Sequence, residues 1–225
     1  GGGIIAGIAV AAKGINPNIK IVGVQTANIP SMQESMKNGE VTTAFKSTTI
    51  ADGIAVKTPG DVTFEIINEL VDEVVVVEED EIAQGMLFLM ENQKVVAEGA
   101  GAVTTAALLS GKYVPKKDEN VVCVISGGNV DVNTLYRVIG TALTKEARRY
   151  SFNTVIQDKP GGLAELTKII SEYDANILSA NLSRSSMGGA LGSLTAEMVL
   201  ETFNHDHIDK LKVAITEAGF EIVEI

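Results

Sequence analysis

A chain of 225 residues, 45% apolar and 21% charged, is long enough for one large globular domain or two smaller ones with cores of ordinary size. Its formal charge of -11, 4% aromatic content and lack of tryptophan argue against a nucleic-acid partner, because counterion release needs a clustered basic surface and base stacking needs aromatic platforms. No apolar run reaches the roughly 18 to 20 residues that cross a bilayer, and no basic stretch precedes an apolar one at the start, so the expectation is a soluble cytoplasmic protein with no membrane partner.

The chain opens on Gly1-Gly2-Gly3 and passes at once into the small apolar residues Ile4-Ile5-Ala6-Gly7-Ile8-Ala9-Val10-Ala11-Ala12. These suit a helix packed on most sides, ended by Lys13-Gly14 and turned by Asn16-Pro17. So apolar a start without an initiating methionine reads as a fragment of a longer protein. Residues 20–24 form a short buried strand, and 63–70, a strand at 73–77, a helix at about 80–92 and a strand at 121–125 continue the alternation. Such alternation predicts an α/β fold with parallel pairing and covered sheet faces. Cys123 cannot form an internal disulfide and reads as a small buried apolar residue.

The pattern changes after about residue 144. Tyr150, Phe152, Thr154 and Ile156 alternate as one face of a strand, Asp158-Lys159-Pro160-Gly161-Gly162 supplies a turn, and Leu163, Leu166, Ile170 and Tyr173 share a helix face. A strand at 176–184, a turn at Met187-Gly188-Gly189, a strand at 194–201, a helix at 208–218 and a strand at 220–223 complete a βαββαβ order, the ferredoxin-like split unit. The expected domains are therefore 1–144 and 150–225, cut near 145–149. His205 and His207 have a spacing that admits a metal in an exposed loop, but apolar positions Ile208, Leu211 and Ile215 follow at helical spacing and favour a helix start.

Three glycines before a helix suit an anion, because glycine lets backbone N–H groups converge and the helix dipole adds partial positive charge. A leftover terminal linker has the same composition. At the far end of the same domain, the strand at 121–125 runs into Ser126-Gly127-Gly128-Asn129, which places Ser126 at the carboxyl edge of the sheet, where α/β ligands bind. Glu98-Gly99-Ala100-Gly101-Ala102 puts a carboxylate before a run small enough to open a tightly packed helix. Each of these is also what a tight turn wants.

With Ala51-Asp52-Gly53, these segments resemble the pyridoxal-phosphate (PLP) enzymes of fold type II, and among them the serine/threonine dehydratases, over essentially all of residues 1–143. The resemblance implies that the N–H groups of Gly1, Gly2 and Gly3 hold the cofactor phosphate and that Ser126 meets the pyridine nitrogen. It also implies that Gly53 lies against the ring face and Glu98 near the ring and its substituents. A neutral serine hydroxyl leaves the pyridine mostly unprotonated and the ring a weaker electron sink than one paired with a carboxylate, which is adequate for β-elimination. The implied reaction removes the α-proton and β-hydroxyl of threonine, and hydrolysis then yields 2-oxobutanoate and ammonia. Serine would give pyruvate.

The Schiff-base lysine of that family lies in a Ser-x-Lys-x-Arg-Gly type segment that has no counterpart here, and Lys13, Lys57 and Lys94 read as exposed helix or loop residues. No catalytic residue is therefore assigned in this chain, which is expected neither to form the lysine imine nor to deaminate threonine alone. Some relatives bind a divalent cation through a glutamate and an aspartate at positions occupied here by Gln25 and Ser31, so no metal is assigned.

Asp158-Lys159-Pro160-Gly161-Gly162-Leu163 within the βαββαβ unit resembles the ACT-domain motif over residues 150–225. That resemblance implies an allosteric amino-acid site, with isoleucine or valine as the effector, at Asp158, Gly161 and Gly162, with Asn176 and Ile177 across an interface of a homo-oligomer. A strand-to-helix turn alone would ask for the same proline and glycines. The readings carried forward are a threonine dehydratase with a regulatory module, a non-catalytic amino-acid-binding and oligomerising piece, and a parent serine dehydratase or racemase.

Overall fold

The computed structural model describes residues 1–184 and 192–225, and the expected turn at Met187-Gly188-Gly189 lies outside the described residues. The chain divides into two compact units, Gly1–Ile139 and Gly140–Ile225.

In the first unit the apolar run forms α1 (Gly3–Ile15), followed by β1 (Val22–Thr26), α2 (Ser31–Asn38), a 3-10 turn (Asp52–Ile54) and α3 (Asp61–Leu70). Then come β2 (Glu73–Val77), α4 (Glu79–Phe88), a π-helical turn (Leu89–Gln93) and α5 (Gly99–Leu109). β1 and β2 pair in parallel from Val22 opposite Glu73 to Thr26 opposite Val77, a geometry that requires the intervening helical crossover. α1 and α3 bury Ala6, Ala9, Phe64 and Ile67 together with Ile21, Met32 and Val71. α5 is enclosed as its composition predicts: Gly99, Ala100, Gly101, Ala102, Val103, Thr105, Ala106 and Ala107 are all buried.

Three sequence expectations are corrected here. α1 is not packed on most sides, since Ile4, Val10 and Ile15 are exposed and only Ala6 and Ala9 are buried. Residues 63–70 lie in α3, in keeping with the alternation of helix and strand, and their apolar positions Phe64 and Ile67 fall at the i, i+3 spacing of one helical face. Residues 121–125 form no strand ladder among the described residues. They lie beside α5 instead, where the Thr104 hydroxyl donates to the Val124 carbonyl at 3.2 Å. A strand is defined by its neighbour, and the first unit's sheet has only β1 and β2. Cys123 is half-buried, and its partial burial raises the thiol pKa.

α6 (Val132–Lys145) leads into the second unit, which is a βαββαβ array: β3 (Arg149–Gln157), α7 (Gly162–Glu172), β4 (Asn176–Ser183), β5 (Ser193–Glu201), α8 (His205–Glu217) and β6 (Val223–Glu224). Its antiparallel sheet has the order β4-β5-β3-β6. Alternation delivers Tyr150, Phe152 and Ile156 of β3 and Leu194, Ala196, Met198 and Leu200 of β5 to one face, where Leu166, Ile170, Ile208, Leu211 and Ile215 of the two helices cover them. The last strand starts later than its apolar pattern suggests, because Phe220 and Ile222 pack against this core before the ladder begins at Val223.

Asn204 and His207 settle the start of α8. The Asn204 side chain accepts the His207 backbone N–H at 2.9 Å as an N-cap. His207 Nδ1 accepts the Phe203 N–H at 3.1 Å, and Nε2 donates to the Tyr173 carbonyl at 2.6 Å. Both ring nitrogens thus serve the fold, and His205 and His207 belong to a helix start.

Candidate functional site

A cavity of about 490 Å³ in the first unit is lined by Gly1, Gly2, Gly3, Gly53 and Ser126, five of the six residues the resemblance assigns to the cofactor. They come from the start of α1, the 3-10 turn and the segment after 121–125, separated by up to 125 residues in sequence.

Gly2 is the N-cap of α1 with φ 87°, a left-handed conformation that disfavours any side chain. The first intrahelical bond closes from the Ala6 N–H to the Gly2 carbonyl at 3.0 Å, which leaves the N–H groups of Gly3, Ile4 and Ile5 without intrahelical acceptors. Thr63 Oγ1 donates to the Gly1 carbonyl at 2.6 Å and fixes the loop from the α3 side. Nothing lies within 4 Å of the Cβ position at Gly3. Converging glycine backbone, free N–H groups and a helix N-terminus form a cradle that fits a phosphate.

Glu98 joins the other segments. It is the N-cap of α5, its N–H donates to the Gly127 carbonyl at 3.1 Å, and its Oε2 accepts the Asn129 N–H at 3.1 Å. A Cβ on Gly127 would sit 2.2 Å from Glu98 Oε1, so only glycine lets the segment after Ser126 lie against this carboxylate. The Cβ position of Gly53 is 3.4 Å from the same oxygen and 3.1 Å from the Ala100 Cβ. Glu98 is thus bonded to the loop that follows Ser126 and packs close to the turn that carries Gly53. Gln25 and Ser31 also line the cavity, but Gln25 Oε1 accepts the Gln33 N–H at 2.9 Å and Ser31 Oγ donates to the Val56 carbonyl at 2.5 Å.

Among lysines, Lys13 is ion-paired with Asp72 at 2.8 Å, Lys57 lies 3.9 Å from the Phe45 ring centroid, and Lys94 Nζ donates to the Glu91 carbonyl at 2.6 Å. Lys13 is thus a partnered side chain rather than an exposed one. Sequence reasoning passed over Lys20, which lines the cavity. Its hydrogen bond to Glu73 at 3.0 Å raises its pKa, so it remains an ammonium and a poor nucleophile.

In the second unit, Asp158, Gly161 and Gly162 meet at the β3–α7 turn. Gly161 is the N-cap of α7 with φ 91°, and a Cβ on Gly162 would stand 2.3 Å from the Gln157 carbonyl oxygen. Asp158 holds Arg184 through both carboxylate oxygens, at 3.0 and 3.2 Å, a pairing sequence reading did not find. Asn176 and Ile177 lie elsewhere. They pair with Glu201 and Leu200, whereas the Asp158 end of β3 pairs at Ser193 of β5, so the two groups stand at opposite ends of the sheet, about 25 Å apart along the strands.

The chain is similar to known proteins over both units. It is 46% identical over 222 residues to an L-threonine ammonia-lyase of Thermotoga maritima, covering 99% of this chain and 55% of that protein. It is 42% identical over 220 residues to an L-threonine ammonia-lyase of Geobacter sulfurreducens, covering 98% and 54%. The chain thus spans about half the length of the curated relatives it matches. Among solved structures, the processed form of threonine deaminase isoform 2 from Solanum lycopersicum superposes with a TM-score of 0.57 at 35% identity, covering 63% of this chain and 41% of that one. The family model described as pyridoxal-phosphate dependent enzyme matches residues 1–127, the region that holds the glycine cradle, Gly53, Glu98 and Ser126, and the chain belongs to that family.

Proposed function

We propose that this chain forms part of a PLP-dependent threonine dehydratase that converts threonine to 2-oxobutanoate and ammonia, with residues 1–144 in the catalytic domain and 150–225 as an ACT-like regulatory domain. The observation that carries the reading is the meeting of Gly1, Gly2, Gly3, Gly53 and Ser126 around one cavity. When bound, the cofactor supplies an electron-withdrawing ring that stabilises negative charge at the substrate α-carbon.

The residues of this chain bind and orient. The glycine N–H groups and the α1 dipole would hold the phosphate dianion. Ser126, which lines the cavity, would donate its Oγ–H to the pyridine nitrogen without transferring a full proton, which would limit electron withdrawal to what loss of a β-hydroxyl requires. Glu98 holds the loop that follows Ser126 and packs close to Gly53. Apolar side chains such as Ile5, Val103 and Val124 line the same cavity and give it an apolar wall. The Ser-x-Lys-x-Arg-Gly type segment that would hold the cofactor covalently has no counterpart in these 225 residues, so the chain by itself is expected to be inactive.

The second unit would receive isoleucine or valine. What supports this is the α7 N-terminus, where Gly161 carries no side-chain cap and the N–H groups of Leu163 and Ala164 have no intrahelical acceptor and could meet an effector carboxylate. The Gly162 N–H already donates to the Lys159 carbonyl, and the effector ammonium would have to compete with Arg184 for Asp158. The distance of Asn176 and Ile177 from that turn means that they complete a site only from a second copy in a homo-oligomer.

The test is steady-state turnover by the full-length protein. Production of 2-oxobutanoate from threonine that depends on added PLP and exceeds pyruvate formation from serine supports the reading, and PLP-independent or absent turnover contradicts it. Racemisation of serine without keto-acid release would favour the racemase alternative.

A further inference from the structure

Beyond the cavity lining, a hydrogen-bonded relay runs from the carboxyl end of β1 to the segment that carries Gly53. Thr26 is completely buried, and its hydroxyl donates to Glu79 Oε1 at 2.8 Å. The second Glu79 oxygen accepts the Ile50 N–H at 2.7 Å. Thr49 Oγ1 donates to Thr26 Oγ1 at 3.2 Å and accepts the Ala51 N–H at 3.1 Å. Each direction follows from the last. An ionised carboxylate only accepts, so Thr26 must donate to it, Thr26 must then accept from Thr49, and Thr49 must accept from Ala51.

The backbone held by this relay has little alternative. Ala51 is fully buried, the Asn28 side chain donates to the Thr48 carbonyl at 2.6 Å, and the Ile50 carbonyl oxygen lies 2.4 Å from where a Cβ on Gly99 would be. Gly53 follows two residues after Ala51 and meets Glu98 and Ala100 at the cavity. Glu79 is the first residue of α4, so its backbone is fixed by the helix while its two carboxylate oxygens reach Thr26 and Ile50.

We propose that Glu79 is a positioning residue that, through Thr26 and Thr49, sets the pose of residues 49–53 against the cofactor, an inference that rests on the cofactor reading above. Glu79 does not line the cavity. It acts on the face of the cavity that Gly53 presents. Glu79→Gln preserves size but supplies an amide N–H₂ where an acceptor is needed, so it opposes either Ile50 N–H or the Thr26 hydroxyl. Thr26→Val removes the hydroxyl without changing volume, and Thr26→Ser retains it.

The experiment uses the full-length protein and two readouts besides activity: PLP affinity by absorbance titration and amide hydrogen exchange at Ile50 and Ala51. Glu79→Gln and Thr26→Val are expected to weaken PLP binding about tenfold, the loss of a charge-assisted hydrogen bond, and to speed exchange at both amides. Thr26→Ser should restore affinity to within about twofold of wild type, because it keeps the same donor. Threonine KM should stay near the wild-type value while the PLP requirement rises. Glu79→Gln with wild-type PLP affinity and unchanged Ile50 and Ala51 exchange overturns the proposal alone. Wild-type protein that binds no PLP overturns the cofactor reading and the proposal with it. If Glu79→Gln does not fold, Thr26→Val against Thr26→Ser decides: equal affinity in the two overturns the proposal.

Discussion

The two units bury their apolar residues to different degrees. In the second, strands and helices close on one another: Phe152, Leu166, Met198, Leu200, Leu211 and Ile215 are all essentially inaccessible. In the first, apolar residues outside the parallel strand pair find no cover, with Ile4 of α1 62% and Val122 of the segment after α5 86% exposed. The contrast follows from topology. An antiparallel βαββαβ sheet needs helices on one face only and supplies them itself, whereas parallel strands bury both faces and draw cover from many crossovers. The cavity lies in the less enclosed unit.

The sharpest break of this comparison is separation of the units. Residues 140–225 alone should unfold in one cooperative transition followed by circular dichroism, while residues 1–139 alone should show a broad transition and associate at micromolar concentration. Next in size are core truncations. Leu211→Ala, at a fully buried position, should cost about 2–5 kcal/mol in denaturant titration, whereas Val122→Ala in this same chain should change stability by less than about 0.5 kcal/mol. Gly162→Ala, which would force a Cβ against the Gln157 carbonyl, should cost about 1–3 kcal/mol by the same measurement.

A smaller effect sharpens the account of the second core. Tyr150 is buried with its hydroxyl unpartnered, and burial first, then the nearby Glu224 carboxylate, raise its pKa from 10.0 to about 12. The unfolded chain loses that proton first, so this group's stability contribution is complete below pH 10 and is lost as pH rises toward about 12. Tyr150→Phe should abolish that alkaline loss and leave stability at neutral pH unchanged or higher by about 1 kcal/mol, because it removes an unsatisfied buried hydroxyl. Arg184→Ala should have the least effect, under about 0.5 kcal/mol, since the Asp158–Arg184 pair joins an arginine that is 79% exposed.

Much of the second unit was legible in the sequence because its order is local. The alternation of Tyr150, Phe152, Thr154 and Ile156 and the helical spacing of Leu163, Leu166 and Ile170 require no knowledge of distant residues. In the first unit, motifs placed Gly1, Gly2, Gly3, Gly53 and Ser126 around one ligand, and the fold brings them to one cavity. Residues 121–125 were misread as a strand because β-branched composition records a preference for pairing, not a partner. Thr26 and Glu79 were invisible because they are 53 positions apart and each is an ordinary polar residue until the ladder of β1 and β2 brings their strand ends together. Asn176 and Ile177 fell on the predicted strand, yet strand direction sets them at the end of the sheet away from Asp158.

The central claim is that the glycine loop before α1 holds the phosphate of PLP. Titration of PLP into full-length wild-type protein and its Gly2→Ala variant, followed by cofactor absorbance, tests it most directly, because an alanine at φ 87° strains the N-cap and disturbs the cradle. A dissociation constant raised about tenfold or more, corresponding to the roughly 1–2 kcal/mol cost of a left-handed alanine, is the predicted result. An unchanged dissociation constant in a folded variant would contradict the account.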